Sequence, residues 1–360
     1  MKKDPFVEYL KEKDPSTKQK KYSWYTAIGL QKVDGLKTSD YLKEVAKRNI
    51  EGEITLDDSK RLIDSYYKEA PDIKKDTEEA DKVSVKIAKI LSKKAFTFSV
   101  VEYVNIHKFL FEDVCSHAGK FREHNITKKE WILDADTVVY GNATTLKETL
   151  EYDINQEKKV SYARLTKEQI IKHISTFVAN LWQIHPFSEG NTRTTAVFLI
   201  KYLRLLGFNV TNDLFAENAW YFRNALVRAN YNNASKQVFQ TTEYLELFLK
   251  NLLYNENNVL SNRYLHVNYK GKPDIGAEKP DIGAKKPDIG LEKMPLTTKT
   301  KGNIIRLFNS VKTQRFGRKE VIKILGLSPS RSSELLKQLL DFNIIVPIQG
   351  YGKGKYVFNI

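Results

Sequence analysis

Three consecutive heptads, KPDIGAE, KPDIGAK and KPDIGLE, run from Lys272 to Glu292, each with a proline, a glycine and an isoleucine. A proline every seventh residue removes a backbone donor and clashes with the preceding turn, so neither a continuous helix nor a coiled coil can run through this stretch. It reads as a linker of turns or extended chain. The chain is thereby divided into a long N-terminal part and a short C-terminal one, and its 360 residues suffice for two or three domains with a sizeable core.

In the long part, EQIIKHISTFVANLWQ carries apolar residues at helical spacing from Ile170 to Trp182, and TTAVFLIKYLRLLGF repeats the pattern up to Gly207. The ten residues His185 to Thr194, HPFSEGNTRT, bridge these two helices. Pro186 discourages helical geometry at His185 and Gly190 permits left-handed torsions, so the bridge is a tight turn ending at a helix start. A helix start leaves backbone N–H groups unpaired, and with the macrodipole they favour a phosphate. Arg193 on the first turn adds a planar donor fork, and Ser188, Gly190, Asn191 and Thr192 complete the anion loop. Glu189 supplies a hard carboxylate oxygen, suited to Mg²⁺ that bridges nucleotide phosphates. His185, with an ordinary pKa of about 6.5, can take a proton from an attacking hydroxyl and is the candidate catalytic base. Phe187 anchors the loop in the core. The plainer alternative for the same string is a helix-helix loop with a capping Asn and a buried Phe.

The string resembles the Fic family motif, HPFx(D/E)GNGRxxR, whose members mostly transfer AMP from ATP to a Ser, Thr or Tyr hydroxyl of a target protein. The resemblance implies a helical core of about Lys82 to Asn255, ATP and Mg²⁺ as cofactors, and a hydroxyl-bearing target protein. AGKFREHNIT, Ala118 to Thr127, is similar to the segment before the family's target-docking flap. TVVYGNATTLKETL then reads as a β-branched strand, a turn and a helix, giving a small β-hairpin flap of Thr137, Val138, Val139 and Tyr140 that would pair with an extended target segment. In AWYFRNALVRAN, Tyr221 and Asn230 fall where the family commonly lines its adenine pocket, although aromatics at helical spacing equally read as core.

Two positions depart from the motif. Thr192 stands where the family has Gly, adding a Cβ and a hydroxyl to the anion loop. Ala196 stands where a second Arg holds the γ-phosphate, which predicts weaker positioning of the triphosphate, or a different donor. Tyr25 to Asp58 resembles the small antitoxin helices whose motif (S/T)xxxEG inserts a Glu against that second Arg. Aligned on GEIT, the motif falls on Leu30 to Gly35, with Asp34 in place of the inhibitory Glu. Asp34 and Ala196 depart together, so the family's inhibitory ion pair is expected to be absent. Glu51, before Gly52, is the other candidate inhibitory acid, and for both acids a glycine-terminated helix end is the plainer reading.

Beyond the repeats, TKGNIIRLFNSV, GRKEVIKILG and SPSRSSELLKQLLDFNII read as three amphipathic helices, followed by two short strands around a glycine-rich turn. This is the order of a winged helix. Residues 299–360 hold 12 Lys/Arg and 3 Asp/Glu, a net +9 of the chain's +15, and charge of one sign so concentrated favours nucleic acid. The third helix would enter the major groove of DNA with Ser330, Arg331, Ser332 and Ser333, while Lys353 and Lys355 on the wing approach phosphates.

Cys115 is the single cysteine, so no internal disulfide forms and a reducing cytoplasmic setting is expected. His107, His117, His124, His173 and His266 show no zinc-like spacing and no evident joint role. No segment approaches the roughly 18 to 20 apolar residues of a membrane span. The expected architecture is mostly α: an N-terminal antitoxin-like region (1–81), a Fic domain (82–255), a linker (256–298) and a winged-helix domain (299–360). The expected function is a protein adenylyltransferase. The alternative is a DNA-binding regulator whose core senses a nucleotide or modifies only itself. Assembly into a homo-oligomer is left open.

Overall fold

The computed structural model describes residues 15–69, 71–210, 213–269, 298–311, 316–342, 344–347 and 354–358. The chain separates into two compact units, 1–280 and 281–360. The division falls within the KPDIG heptads, which lie outside the described residues, as does Lys353.

The first unit is helical: α1 (Pro15–Leu30), α2 (Asp40–Glu51), α3 (Leu56–Glu69), α4 (Pro71–Ser92), α5 (Val100–Phe111), α6 (Leu146–Glu157), α7 (Lys167–Ile184), α8 (Asn191–Leu205), α9 (Leu214–Ala229) and α10 (Glu243–Tyr254). Local signals start and stop them. Ser39 caps α2 by accepting from Leu42 N at 3.0 Å, α2 stops at Gly52 in the left-handed region, and Thr166 with Gln169 forms a capping box on α7.

One hydrophobic core runs through the whole unit, from Trp24 and Leu42 to Phe198, Phe222 and Leu249. The expected boundary at residues 81/82 is therefore not a boundary: it falls in the middle of α4, and α1 is sandwiched against both α4 and α9. The crossing of α1 and α9 requires Gly29, since a Cβ there would lie 2.3 Å from Ala216 Cα. Asp81, fully buried, accepts from Ser39 N at 2.9 Å and from Tyr67 Oη at 2.6 Å, tying α2, α3 and α4 together. Residues 256–269, expected in the linker, are also packed on this unit. Asn224 Nδ2 donates to Asn262 Oδ1 at 2.8 Å and Val267 N to Ile132 O at 2.9 Å.

The second unit contains α11 (Thr298–Val311), β1 (Phe316–Gly317), α12 (Arg318–Leu325), α13 (Pro329–Asp341), β2 (Ile345–Pro347) and β3 (Lys355–Phe358). Its antiparallel sheet has the order β1-β3-β2, with Phe316 opposite Tyr356 and Ile345 opposite Phe358. Three helices and two strands were expected; β1 is a third strand, too short to leave a period-2 pattern. Ile304, Leu307, Phe316, Val321 and Leu339 form the core. Ser332 is fully buried within α13 and cannot face a DNA groove, whereas Ser330 and Arg331 are exposed. No described helix in either unit is long and apolar enough to cross a membrane.

Candidate active site

The loop between α7 and α8 turns on two left-handed residues, His185 (φ 50°) and Gly190 (φ 70°). Gly190 is required for space as well as torsion, because a Cβ would come within 2.3 Å of the Phe111 ring. The Asn191 side chain closes the loop on itself, accepting from Phe187 N at 3.0 Å and donating to Phe187 O at 2.7 Å. The first backbone bond of α8 runs from Thr194 N to Gly190 O at 3.0 Å. The amides of Asn191, Thr192 and Arg193 therefore precede the helical ladder and present the positive end of the helix dipole. Ser188 is half-buried and Glu189 exposed at this end. Thr192, at the usual Gly position, accepts from Trp182 Nε1 at 2.9 Å, so its hydroxyl pins α8 to α7.

His185 is 2% exposed. Its Nδ1 lies 3.3 Å from Trp182 O, and its Nε2 is buried without a protein partner. The Tyr140 ring covers it, with centroids 4.3 Å apart. Burial, and then the positive charge of Lys128, hold the imidazole pKa well below its usual value, so the ring is neutral and Nε2 can accept a proton. Tyr140 belongs to the expected flap, but Thr137 to Tyr140 form no strand and pair in no sheet among the described residues, so the expected β-hairpin is not found there.

Arg122 ties the loop to His124 and Gly141. Its backbone N donates to Pro186 O at 2.9 Å, its Nε to His185 O at 2.8 Å, its Nη1 to His124 O at 2.7 Å, and its Nη2 to Gly141 O. Fully buried Glu130 takes a two-pronged bond from Arg223 of α9, at 2.6 and 2.9 Å, and a bond from Tyr140 Oη at 3.4 Å. His107 supports the other side of the loop. Gly119 N donates to its Nδ1 at 2.8 Å, which leaves Nε2 as the donor to Glu189 O at 3.1 Å. The ring stacks on Phe187 with centroids 3.7 Å apart, and burial pushes its pKa down to about 4.

Arg193 is 2% exposed and its donor fork is already engaged. Nη1 donates to Gln31 Oε1 at 3.0 Å, Nη2 to Glu79 Oε1 at 2.6 Å, and the guanidinium lies 4.8 Å over the Phe111 ring. Nε sits 2.8 Å from Asp34 Oδ2, an ion pair by distance whose angle falls short of a hydrogen bond. A pair with a second Arg has no counterpart at Ala196, but Asp34 meets a cation that was not expected, Arg193, the motif's first Arg. Asp34 ends a 3₁₀ turn, Gln31–Asp34, stopped by Gly35 at φ 72°. Ala196, where the second Arg would stand, is fully buried. Glu51, by contrast, is exposed at the end of α2, 3.8 Å from Lys47, and takes no part in this cluster.

Tyr221 and Asn230, carried over as adenine contacts, are held by the scaffold. Tyr221 Oη donates to Tyr244 O at 3.2 Å, and Asn230 Nδ2 donates to Ala179 O at 2.9 Å. Sequence reasoning also passed over Glu79, Lys128, Arg122 and His107. Half-buried Lys128 has Asp34, Glu130 and Glu189 close enough to favour its charge, yet burial outweighs them and lowers its pKa. No group of three or more His, Cys, Asp or Glu among the described residues could enclose a metal ion. Exposed Glu189 stands one residue before Gly190, beside the α8 amides.

Residues 97–203 match the model of the Fic/DOC family. Among solved structures, the chain is similar to the N-terminal FIC domain of Bep8, a VirB-translocated effector protein of Bartonella sp. 1-1C. That match has 16% identity and a TM-score of 0.39, over 49% of this chain and 82% of the other. It is also similar to a Fic family protein from Desulfovibrio desulfuricans G20, with 13% identity and a TM-score of 0.44, over 94% of this chain and 87% of the other. No curated protein matches the chain. The chain thus carries a Fic/DOC family domain at residues 97–203, spanning α5 to α8 and the loop between α7 and α8.

Proposed function

We propose that the first unit transfers AMP from ATP to a hydroxyl of a target protein, or of itself, and that Asp34 and Glu79 hold it in a latent state. The observation that carries this reading is His185: a neutral imidazole with an unpartnered Nε2, in a turn that opens onto the amide end of α8. The target hydroxyl oxygen attacks the α-phosphorus, the bond from that phosphorus to the bridging oxygen of pyrophosphate breaks, and His185 Nε2 takes the hydroxyl proton. Glu189 would hold Mg²⁺, which supplies charge neutralisation on the phosphates when bound. The α8 amides and Arg193 bind phosphate oxygens once Arg193 is released, and Lys128 supplies part of the charge that Ala196 cannot. Latency follows from the occupied fork of Arg193 and from Tyr140 over the base. The reading is tested by the intact mass of the purified chain after incubation with ATP and Mg²⁺. Gain of one AMP on the wild type but not on His185→Ala supports it, and equal gain on both refutes the base.

A second reading concerns the other unit. Its order of helices and strands, and the exposed Ser330 and Arg331 at the start of α13, support a winged helix that binds DNA. Lys355 contributes less than expected, since it lies 3.3 Å from Glu320. Fluorescence anisotropy with a DNA duplex tests this: Arg331→Ala should weaken binding and lower its salt dependence.

A further inference from the structure

At the opposite end of α8, about 20 Å from the catalytic loop by helical rise, a cavity of about 660 Å³ opens beside α1 and the end of α4. Lys18, Lys93, Lys94, Lys201 and Arg204 line it. Two of these cations are drawn inward. Lys201 is 3% exposed and its Nζ donates to Lys93 O, while Arg204 Nη1 donates to Leu91 O at 2.8 Å.

Closing the carbonyls at the end of α4 uses one N–H from each; the Arg204 guanidinium also lies 5.2 Å over the Tyr22 ring, and the remaining donors of both side chains can still serve an anion. Like charges gathered in a partly buried cleft repel one another: burial, then Arg204 and Lys93, push the Lys201 pKa down to about 8, although the Glu102 carboxylate is near enough to favour its charge. The cavity also holds the Tyr22 hydroxyl, 3% exposed, near Thr26 and Arg204 but with no partner of hydrogen-bond geometry. Phe96 and Phe208 add aromatic surface to the lining.

We propose that this cavity is a second ligand site, for a small phosphate-bearing molecule with an aromatic ring, of the nucleotide class. Lys201, Arg204 and the lysines at the mouth would hold the phosphates, Tyr22 would donate to one of their oxygens, and Phe96 and Phe208 would flank the ring. The site is separate from the transfer loop and does not depend on the transfer reading.

Calorimetric titration of the full chain with inorganic pyrophosphate and with ADP tests it. Wild type should bind both, ADP the more tightly. Lys93→Glu/Lys94→Glu, which changes two exposed side chains and leaves the core alone, should weaken both by about tenfold or more. Lys201→Met should do the same, and its binding should lose the decline from pH 7 to 9 expected of a lysine that titrates near 8. Lys147→Glu, an exposed charge reversal on α6 outside the cavity lining, should leave pyrophosphate binding unchanged. Loss of binding with Lys147→Glu alone, equal affinity in the lysine variants, or no binding at millimolar pyrophosphate would each overturn the proposal. ADP binding no tighter than pyrophosphate would overturn the assignment to a ring-bearing ligand.

Discussion

The two ends of α8 hold cations in opposite circumstances. At its start, Arg193 is buried against Asp34, Glu79 and Gln31. At its end, Lys201 and Arg204 gather with three further lysines. Both clusters are basic by sequence, and only tertiary structure separates them. The counter-charges of the first come from acids more than 100 positions away, on the 3₁₀ turn after α1 and on α4. At the second, Glu102 lies near Lys201, but the cations outnumber it.

The largest effect expected at the start of α8 is on chemistry. His185→Ala should lower transfer by about 10²- to 10⁴-fold in an AMP-labelling assay, while thermal stability stays near wild type. Undiminished labelling would remove the base from the account.

The next effect is on stability. His107 is neutral in the fold with a pKa of about 4, against about 6.5 when unfolded. The unfolded chain therefore binds the extra proton first. Stability from this group is complete above about pH 6.5 and is lost as pH falls towards 4, by up to about 3 kcal/mol. Denaturant titrations of wild type and His107→Gln across that window should show a shallower slope for the variant; parallel curves would place the acid sensitivity elsewhere.

A smaller change probes how Asp34 is held in place. Gly29→Val forces a Cβ against Ala216 where α1 crosses α9, at a cost of about 1 to 3 kcal/mol. Since α1 leads directly into the turn bearing Asp34, the variant should label itself faster despite a lower Tm. A lower Tm with unchanged labelling would uncouple α1 from the latch.

The loop itself was legible because its chemistry is local. Pro186, Gly190 and the flanking 3.6-residue periods dictate a turn into a helix, and both left-handed residues fall inside that string. The latch was only half legible. Asp34 was located by alignment on GEIT, but its pairing with Arg193 was not foreseen, because alignment gives a position in the chain and not which cation lies beside it in the fold. Glu79, in the run TEEADK, reads as a solvated helix face, and His107 reads as one of several unrelated histidines; each acquires its role through a contact dozens of residues away in sequence. The β-branched residues Thr137 to Val139 suggested a strand, but no neighbouring strand pairs with them among the described residues. The N-terminal boundary failed for a related reason. Amphipathic periods mark helices, but they do not tell whether two helices share one core, and α4 serves both sides of the expected border.

Asp34 and Glu79 are proposed to keep a transfer-competent loop idle by engaging Arg193. The most direct test of this latch is the rate of AMP incorporation, by intact mass with ATP and Mg²⁺, in wild type beside Asp34→Asn/Glu79→Gln. These changes preserve shape and remove the charges that engage Arg193. The account predicts incorporation at least about tenfold faster in the double variant, abolished again when His185→Ala is added. Equal rates in the two proteins, or no incorporation in the double variant, would contradict it.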